Sequence, residues 1–161
     1  MSPANSRAAM NAYRKVGVGS ISDSATPHQL VLMLFGGARA AVAAAKVHLE
    51  RREIPAKCEA IAKAIAIVDG GLKASLDLSV GGELARNLSD LYAYMTQRLL
   101  HANLKNDGSA LDEVAQLLAQ LGEAWETIAD KPVSATPAEA TPASAVNPSQ
   151  SGRVAATYGR V

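Results

Sequence analysis

The chain has 161 residues, sixteen of them basic and fifteen acidic, for a formal net charge of +1. That length suits one ordinary domain, and charge so evenly spread excludes the clustered cations that phosphate-backbone binding requires. Hydrophobic residues reach 48% but aromatics only 4%, and the abundance of alanine, the strongest helix former, points to an all-α protein.

Residues 1–25 are polar, glycine-containing and weakly patterned, and read as a flexible N-terminal arm with one helical turn around Met10-Asn11-Ala12-Tyr13. Met1 to Tyr13 lacks the apolar core of a signal peptide. A first helix is expected from about Pro27 to Arg52. Thr26 serves as its N-cap, Pro27 fits the first position, and Gln29 completes a capping box. Leu30, Leu34, Ala38, Ala41, Val42, Ala45 and Leu49 recur at three and four residues, the spacing of one buried face. The longest apolar stretch, Leu30 to Ala45, is broken by Arg39 and is shorter than the ~20 residues of a membrane span.

A second helix is expected from Pro55 to about Leu78. Cys58, Ile61, Ile65, Val68, Leu72 and Leu76 face inward, Lys57 lies on the surface, and Gly70-Gly71 is a weak point. After Gly81-Gly82 a third helix begins near Glu83. It carries Leu84, Leu88, Leu91, Met95, Leu99 and Ala102 on its inner face and ends near Lys105. The fourth opens at Ser109-Ala110-Leu111-Asp112, in the manner of a capping box, and presents Leu111, Val114, Leu118, Leu121, Trp125 and Ile128. Short connections force neighbouring helices to run antiparallel, giving an up-down-up-down four-helix bundle over residues 26–130. From Lys131 the Pro/Ala/Ser/Thr-rich sequence has too little to bury and is expected to be a disordered tail, 131–161.

No catalytic constellation emerges. A di-iron bundle needs two Glu-x-x-His motifs, and the sequence has none; His28, His48 and His101 share no ligand spacing, so neither a metal nor another cofactor is expected. Cys58 lacks the cationic, accessible surroundings of a reactive thiolate, and as the only cysteine it cannot form an intrachain disulfide, which suits a reducing cytosol. The Gly-Gly pairs are not followed by the Gly-Lys-Ser/Thr of a phosphate loop. What remains is a binding surface, for which Tyr92, Tyr94 and Met95, crowded into one turn, are candidates.

The run Gly81-Gly82-Glu83-Leu84-Ala85-Arg86-Asn87-Leu88-Ser89-Asp90-Leu91-Tyr92-Ala93-Tyr94-Met95, followed by Arg98-Leu99, Ala102-Asn103 and Asn106-Asp107, resembles the signature of the flagellin-specific export chaperones, the FliS family. Thr26-Pro27-His28-Gln29-Leu30-Val31-Leu32-Met33-Leu34-Phe35 is similar to that family's opening, and Ala12-Tyr13 to its tyrosine-bearing arm. The likeness spans roughly residues 10 to 129. Phe35-Gly36-Gly37-Ala38 departs from it, since the family usually has Tyr-Asp-Gly-Ala there. The resemblance implies a cytoplasmic, non-enzymatic chaperone that holds the disordered C-terminal segment of flagellin and meets components of the flagellar export gate, with no nucleic acid bound and no membrane insertion. Matched to the family motif, its client contacts are Tyr13, Leu88, Tyr92, Met95 and Asn103. It also suggests an arm that occupies a groove until the client displaces it.

Overall fold

The computed structural model describes residues 25–130 together with Arg7, Met10 and Asn11. The expected tail, and the expected arm apart from those positions, lie outside the described residues, and Tyr13 with them.

Over residues 25–130 four α-helices form an all-α bundle: α1 (Pro27–Glu50), α2 (Ile54–Ile67), α3 (Gly82–Lys105) and α4 (Gly108–Asp130). Helix α1 starts as its sequence dictates. The Thr26 hydroxyl accepts from the Gln29 amide at 3.2 Å while the Gln29 side chain accepts from the Thr26 amide at 2.9 Å, so two otherwise orphaned donors are satisfied. The helix stops two residues short of the expected Arg52 because that residue takes a left-handed φ of 60°. Leu30, Leu34, Phe35, Ala38, Ala41, Val42 and Ala45 are all buried, which makes α1 the main contributor to the core. By length and composition alone this helix is apolar enough to cross a membrane; here its apolar face is satisfied by the other helices.

Helix α2 departs from expectation. Rather than running to Leu78, its α-helical part ends at Ile67, followed by a wide π-turn over Val68–Lys73 and then by turns. The reason lies in Gly70-Gly71. A side chain on Gly71 would sit 3.0 Å from Leu34 Cδ2, so Leu34 packs directly onto bare backbone. Two glycines also carry the least helix propensity of any residue but proline. Further along, a Cβ on Gly81 would meet the Asp77 carbonyl at 2.9 Å, so the chain closes tightly before α3.

Two more expectations fail for identifiable reasons. Lys57 is not a surface residue: it is 1% exposed, because positions 57, 61, 64 and 68 share one helical face. Its ammonium donates to the Asn103 carbonyl at 2.8 Å and to Asn106 Oδ1 at 2.6 Å. A cation at the C-terminal end of α3 is favoured by the unsatisfied carbonyls there. Cys58, expected inside, is only half-buried. Helix α4 is capped by Asp107 rather than Ser109. The Asp107 carboxylate accepts from the Ser109 amide at 2.9 Å, the Ser109 hydroxyl at 2.6 Å and the Ala110 amide at 3.3 Å. Asn106, in the left-handed conformation, ends α3 and leaves Asp107 free for that role.

Cross-links between helices fix the antiparallel order. Lys46 near the end of α1 pairs with Asp112 near the start of α4 at 2.5 Å, whereas His28 at the start of α1 meets Trp125 near the end of α4. Lys57 joins the start of α2 to the end of α3, and Arg98 of α3 reaches Glu113 of α4 at 2.6 Å. Between the helices lie Ile61, Ala64, Ile67, Val68 and Leu72, then Tyr92, Met95, Leu99 and Ala102, then Ala110, Leu111, Val114 and Leu118. Each large side chain in that set contributes about 1.5–3 kcal/mol through removal from water.

Candidate functional site: an apolar cleft at one end of the bundle

The two ends of the bundle differ. Where α1 and α3 end and α2 and α4 begin, polar ties concentrate: Lys46 to Asp112, His48 to Glu53 at 2.5 Å, Lys57 to Asn103 and Asn106, and His101 to Asp107 at 3.3 Å. At the opposite end the apolar stripes run on past the point where partners cover them. Leu84 faces along the inner stripe of α3 yet is 68% exposed, and Val80 just before it is 75% exposed.

Together these residues bound a cleft of about 220 Å³. Pro27 and Val31 come from the first turns of α1, Leu72 and Leu76 from the wide turn and the segment after it, and Val80 from the connection. Leu84, Leu88 and Tyr92 come from α3, and Trp125 from α4. The departure of α2 from helical geometry is therefore part of the site, since the chain after the π-turn supplies one wall.

Few polar groups face the cleft, and most are engaged. The Ser75 hydroxyl donates to the Leu72 carbonyl at 2.7 Å. Asp77 accepts from the Ser79 hydroxyl at 2.5 Å and from the Ser79 and Val80 amides at 3.0 and 3.2 Å. The Ser79 hydroxyl, with those amides, holds the Asp77 carboxyl below its ordinary range despite some desolvation, so it is an anion at neutral pH. Tyr92 is the exception. Its side chain is 4% exposed, and burial alone pushes its hydroxyl above the ordinary tyrosine range. Among the described residues that hydroxyl forms no hydrogen bond with another side chain.

Trp125 is held from α1. Its indole stacks on the His28 imidazole with ring centroids 5.2 Å apart and planes 8° from parallel. His28 Nε2 lies 2.7 Å from the Trp125 carbonyl, and Trp125 Nε1 donates to the His28 carbonyl at 3.3 Å.

The residues expected to contact a client do not all converge. Leu88 and Tyr92 line the cleft. Met95 is fully buried in the core. Asn103 lies eleven positions beyond Tyr92, about 16 Å along the helix axis at 1.5 Å per residue, and its carbonyl serves Lys57. Among the described residues its side-chain Oδ1 is buried without a partner, as is Thr96 Oγ1. Tyr13 lies outside the described residues. Tyr94, the other tyrosine of the crowded turn, is at the surface, where it donates to Glu113 beside Arg98. Those two donors, the Tyr94 hydroxyl first, hold the Glu113 carboxyl below its usual range. Sequence reasoning missed Val31, Val80, Trp125 and His28 as site residues. The available signal was positional: stripe residues at helix ends have the fewest neighbours to cover them. Among the described residues no group of three or more His, Cys, Asp and Glu is placed to hold a metal.

Comparison with known proteins shows the family. The model of a family described as flagellar protein FliS matches residues 9–132. The flagellar secretion chaperone FliS of Salmonella typhimurium is 52% identical over 122 residues, covering 76% of this chain and 90% of that protein. The flagellar secretion chaperone FliSB of Pseudomonas aeruginosa is 44% identical over 120 residues, 74% of this chain and 94% of its own length. FliS of Escherichia coli is 43% identical over 115 residues, 71% of this chain and 85% of its own. An all-α bundle of four helices, matched by that family model over most of its length, belongs to the FliS family of flagellar export chaperones.

Proposed function

We propose that this chain binds the disordered C-terminal segment of flagellin in the cytoplasm, prevents its premature polymerisation and delivers it to the flagellar type III export apparatus, where export-gate components meet the complex. The observation that carries this reading is the cleft: an apolar surface continuous with the core, left uncovered at one end of the bundle. A disordered client loses several kcal/mol on ordering, and at ~25 cal/mol per Å² an apolar seat offsets that loss without ion pairs. Spaced apolar side chains of a client helix enter between Leu84, Leu88 and Trp125, the mode by which amphipathic helices fill grooves. The Tyr92 hydroxyl is the polar group offered to the client there. Binding needs no cofactor and involves no catalysis. Met95 and Asn103, which do not line the cleft, act on this reading through the core and the far end of α3, and Tyr13 acts through the arm.

Titration calorimetry of the full chain with a peptide from the flagellin C-terminus tests this directly. Saturable binding with a negative heat-capacity change is expected; absence of any complex at tens of micromolar would sink the assignment.

A further inference from the structure

We propose that His28 is a positioning residue for the cleft: it clamps the Trp125 indole as a standing wall and so keeps the cleft open for an occupant. Trp125 packs against the edge of the core without being enclosed by it. Trp125 is only half-buried, and His28 sits in the first turn of α1. Yet the pair is joined three times, by a near-parallel ring stack at 5.2 Å and by two hydrogen bonds running in opposite directions between side chain and backbone. The stack and the Nε1 bond hold the indole in one rotamer, and the His28 Nε2 bond to the Trp125 carbonyl orients the imidazole for the stack.

The choice of rotamer matters because of what lies beside it. An indole next to an apolar cleft of about 220 Å³ gains by falling into it, since each Å² of apolar surface removed from water is favourable by ~25 cal/mol. Without the His28 ring only the Trp125 Nε1 bond to the residue-28 carbonyl remains, and the indole can lean into the space that Leu84, Leu88 and Val31 border, from which an incoming side chain would have to displace it. Held by His28, the wall is organised before binding, and affinity is not spent on reorganisation. The contact to the Trp125 carbonyl requires the hydrogen at His28 Nε2, which donates to it.

The clamp is a property of this chain by itself, while its effect on affinity rests on the cleft being the client's seat; the test separates the two. Trp125 is the only tryptophan, so its emission reports on the clamp without any client. Emission maximum and acrylamide quenching are compared for the full-length chain, His28→Ala and His28→Phe, with thermal melts alongside, and each is then titrated with the flagellin C-terminal peptide. His28→Ala should emit at shorter wavelength, be quenched less and bind the peptide about ten-fold more weakly. His28→Phe, which keeps a flat ring against the indole, should stay near wild type in both. Unchanged or longer-wavelength emission in His28→Ala, or a Phe variant as altered as the Ala variant, overturns the clamp. If the wild-type chain binds no peptide, the chaperone reading fails, and the client-free fluorescence still decides on His28.

Discussion

Replacing Tyr92 by Phe separates a structural tyrosine from a binding one. The ring is 4% exposed and stays in the core of either variant, so its apolar contribution is unchanged. The hydroxyl alone differs, and burial pushes its pKa above the ordinary tyrosine range. Tyr92 lines the cleft, and its hydroxyl is not one of the sealed, unpartnered atoms, so its removal costs the free fold little. Tyr92→Phe should therefore leave the stability of the free protein unchanged or raise it by up to about 1.5 kcal/mol. Client binding should move the other way: loss of one hydrogen bond of about 0.5–1.5 kcal/mol weakens affinity roughly two- to twelve-fold. Urea denaturation measures the first quantity and titration calorimetry with the flagellin peptide the second. A variant destabilised by more than about 1 kcal/mol would show that the hydroxyl is bonded within the fold. Equal affinity would show that no client group uses it. Either result refutes the reasoning.

Two further predictions concern the opposite end of the bundle. Lys57→Ala removes the donor that serves the Asn103 carbonyl and Asn106 Oδ1 and leaves a cavity where a long side chain was 1% exposed. The expected loss is about 2–4 kcal/mol, read as a lower urea midpoint at unchanged slope, and a change below about 0.5 kcal/mol would contradict the capping role. Asp107 gives a pH signature. Its carboxyl is held below the ordinary range, first by the Ser109 hydroxyl and then by the Ala110 and Ser109 amides, with the charge of His101 adding to this. A depressed carboxylate contributes stability that is present above its unfolded value of about 3.9 and lost as pH falls through the lower folded value. The melting-temperature gap between wild type and Asp107→Ala should accordingly be full at pH 7 and shrink steadily below about pH 4; a gap that persists undiminished at pH 2 would rule the cap out.

Much of the fold was legible because helical periodicity and capping chemistry agree. Leu30, Leu34, Ala38, Ala41, Val42 and Ala45 were expected inside and are buried, and the Thr26–Gln29 capping box forms as its residue types require. Helix α2 was less legible, because the length of an interrupted helix depends on what packs against its glycines, and Leu34 of α1 is far away in sequence. Lys57 was misplaced for a related reason. Its residue type argues for solvent, while the phase of its helix argues for the interior, and the carbonyls at the end of α3 decide the matter. The candidate site was half visible. Leu88 and Tyr92 came from motif resemblance and do line the cleft. Trp125 and Leu84 were read as ordinary stripe residues, since periodicity reports which way a side chain faces but not whether anything stands opposite.

The contrast between the two ends gives the molecule a direction. One end is stitched by a buried ammonium, a left-handed asparagine and a carboxylate cap; the other relies on a two-ring clasp and a loosened helical turn. The bonds of the segment after the π-turn are local, whereas Lys46 and Lys57 tie separate helices at the base, so that wall of the mouth opens at less cost than the base. If the proposed client sits at that mouth, its release needs only that local opening, a small fraction of the free energy of melting the whole rod, and leaves the bundle folded.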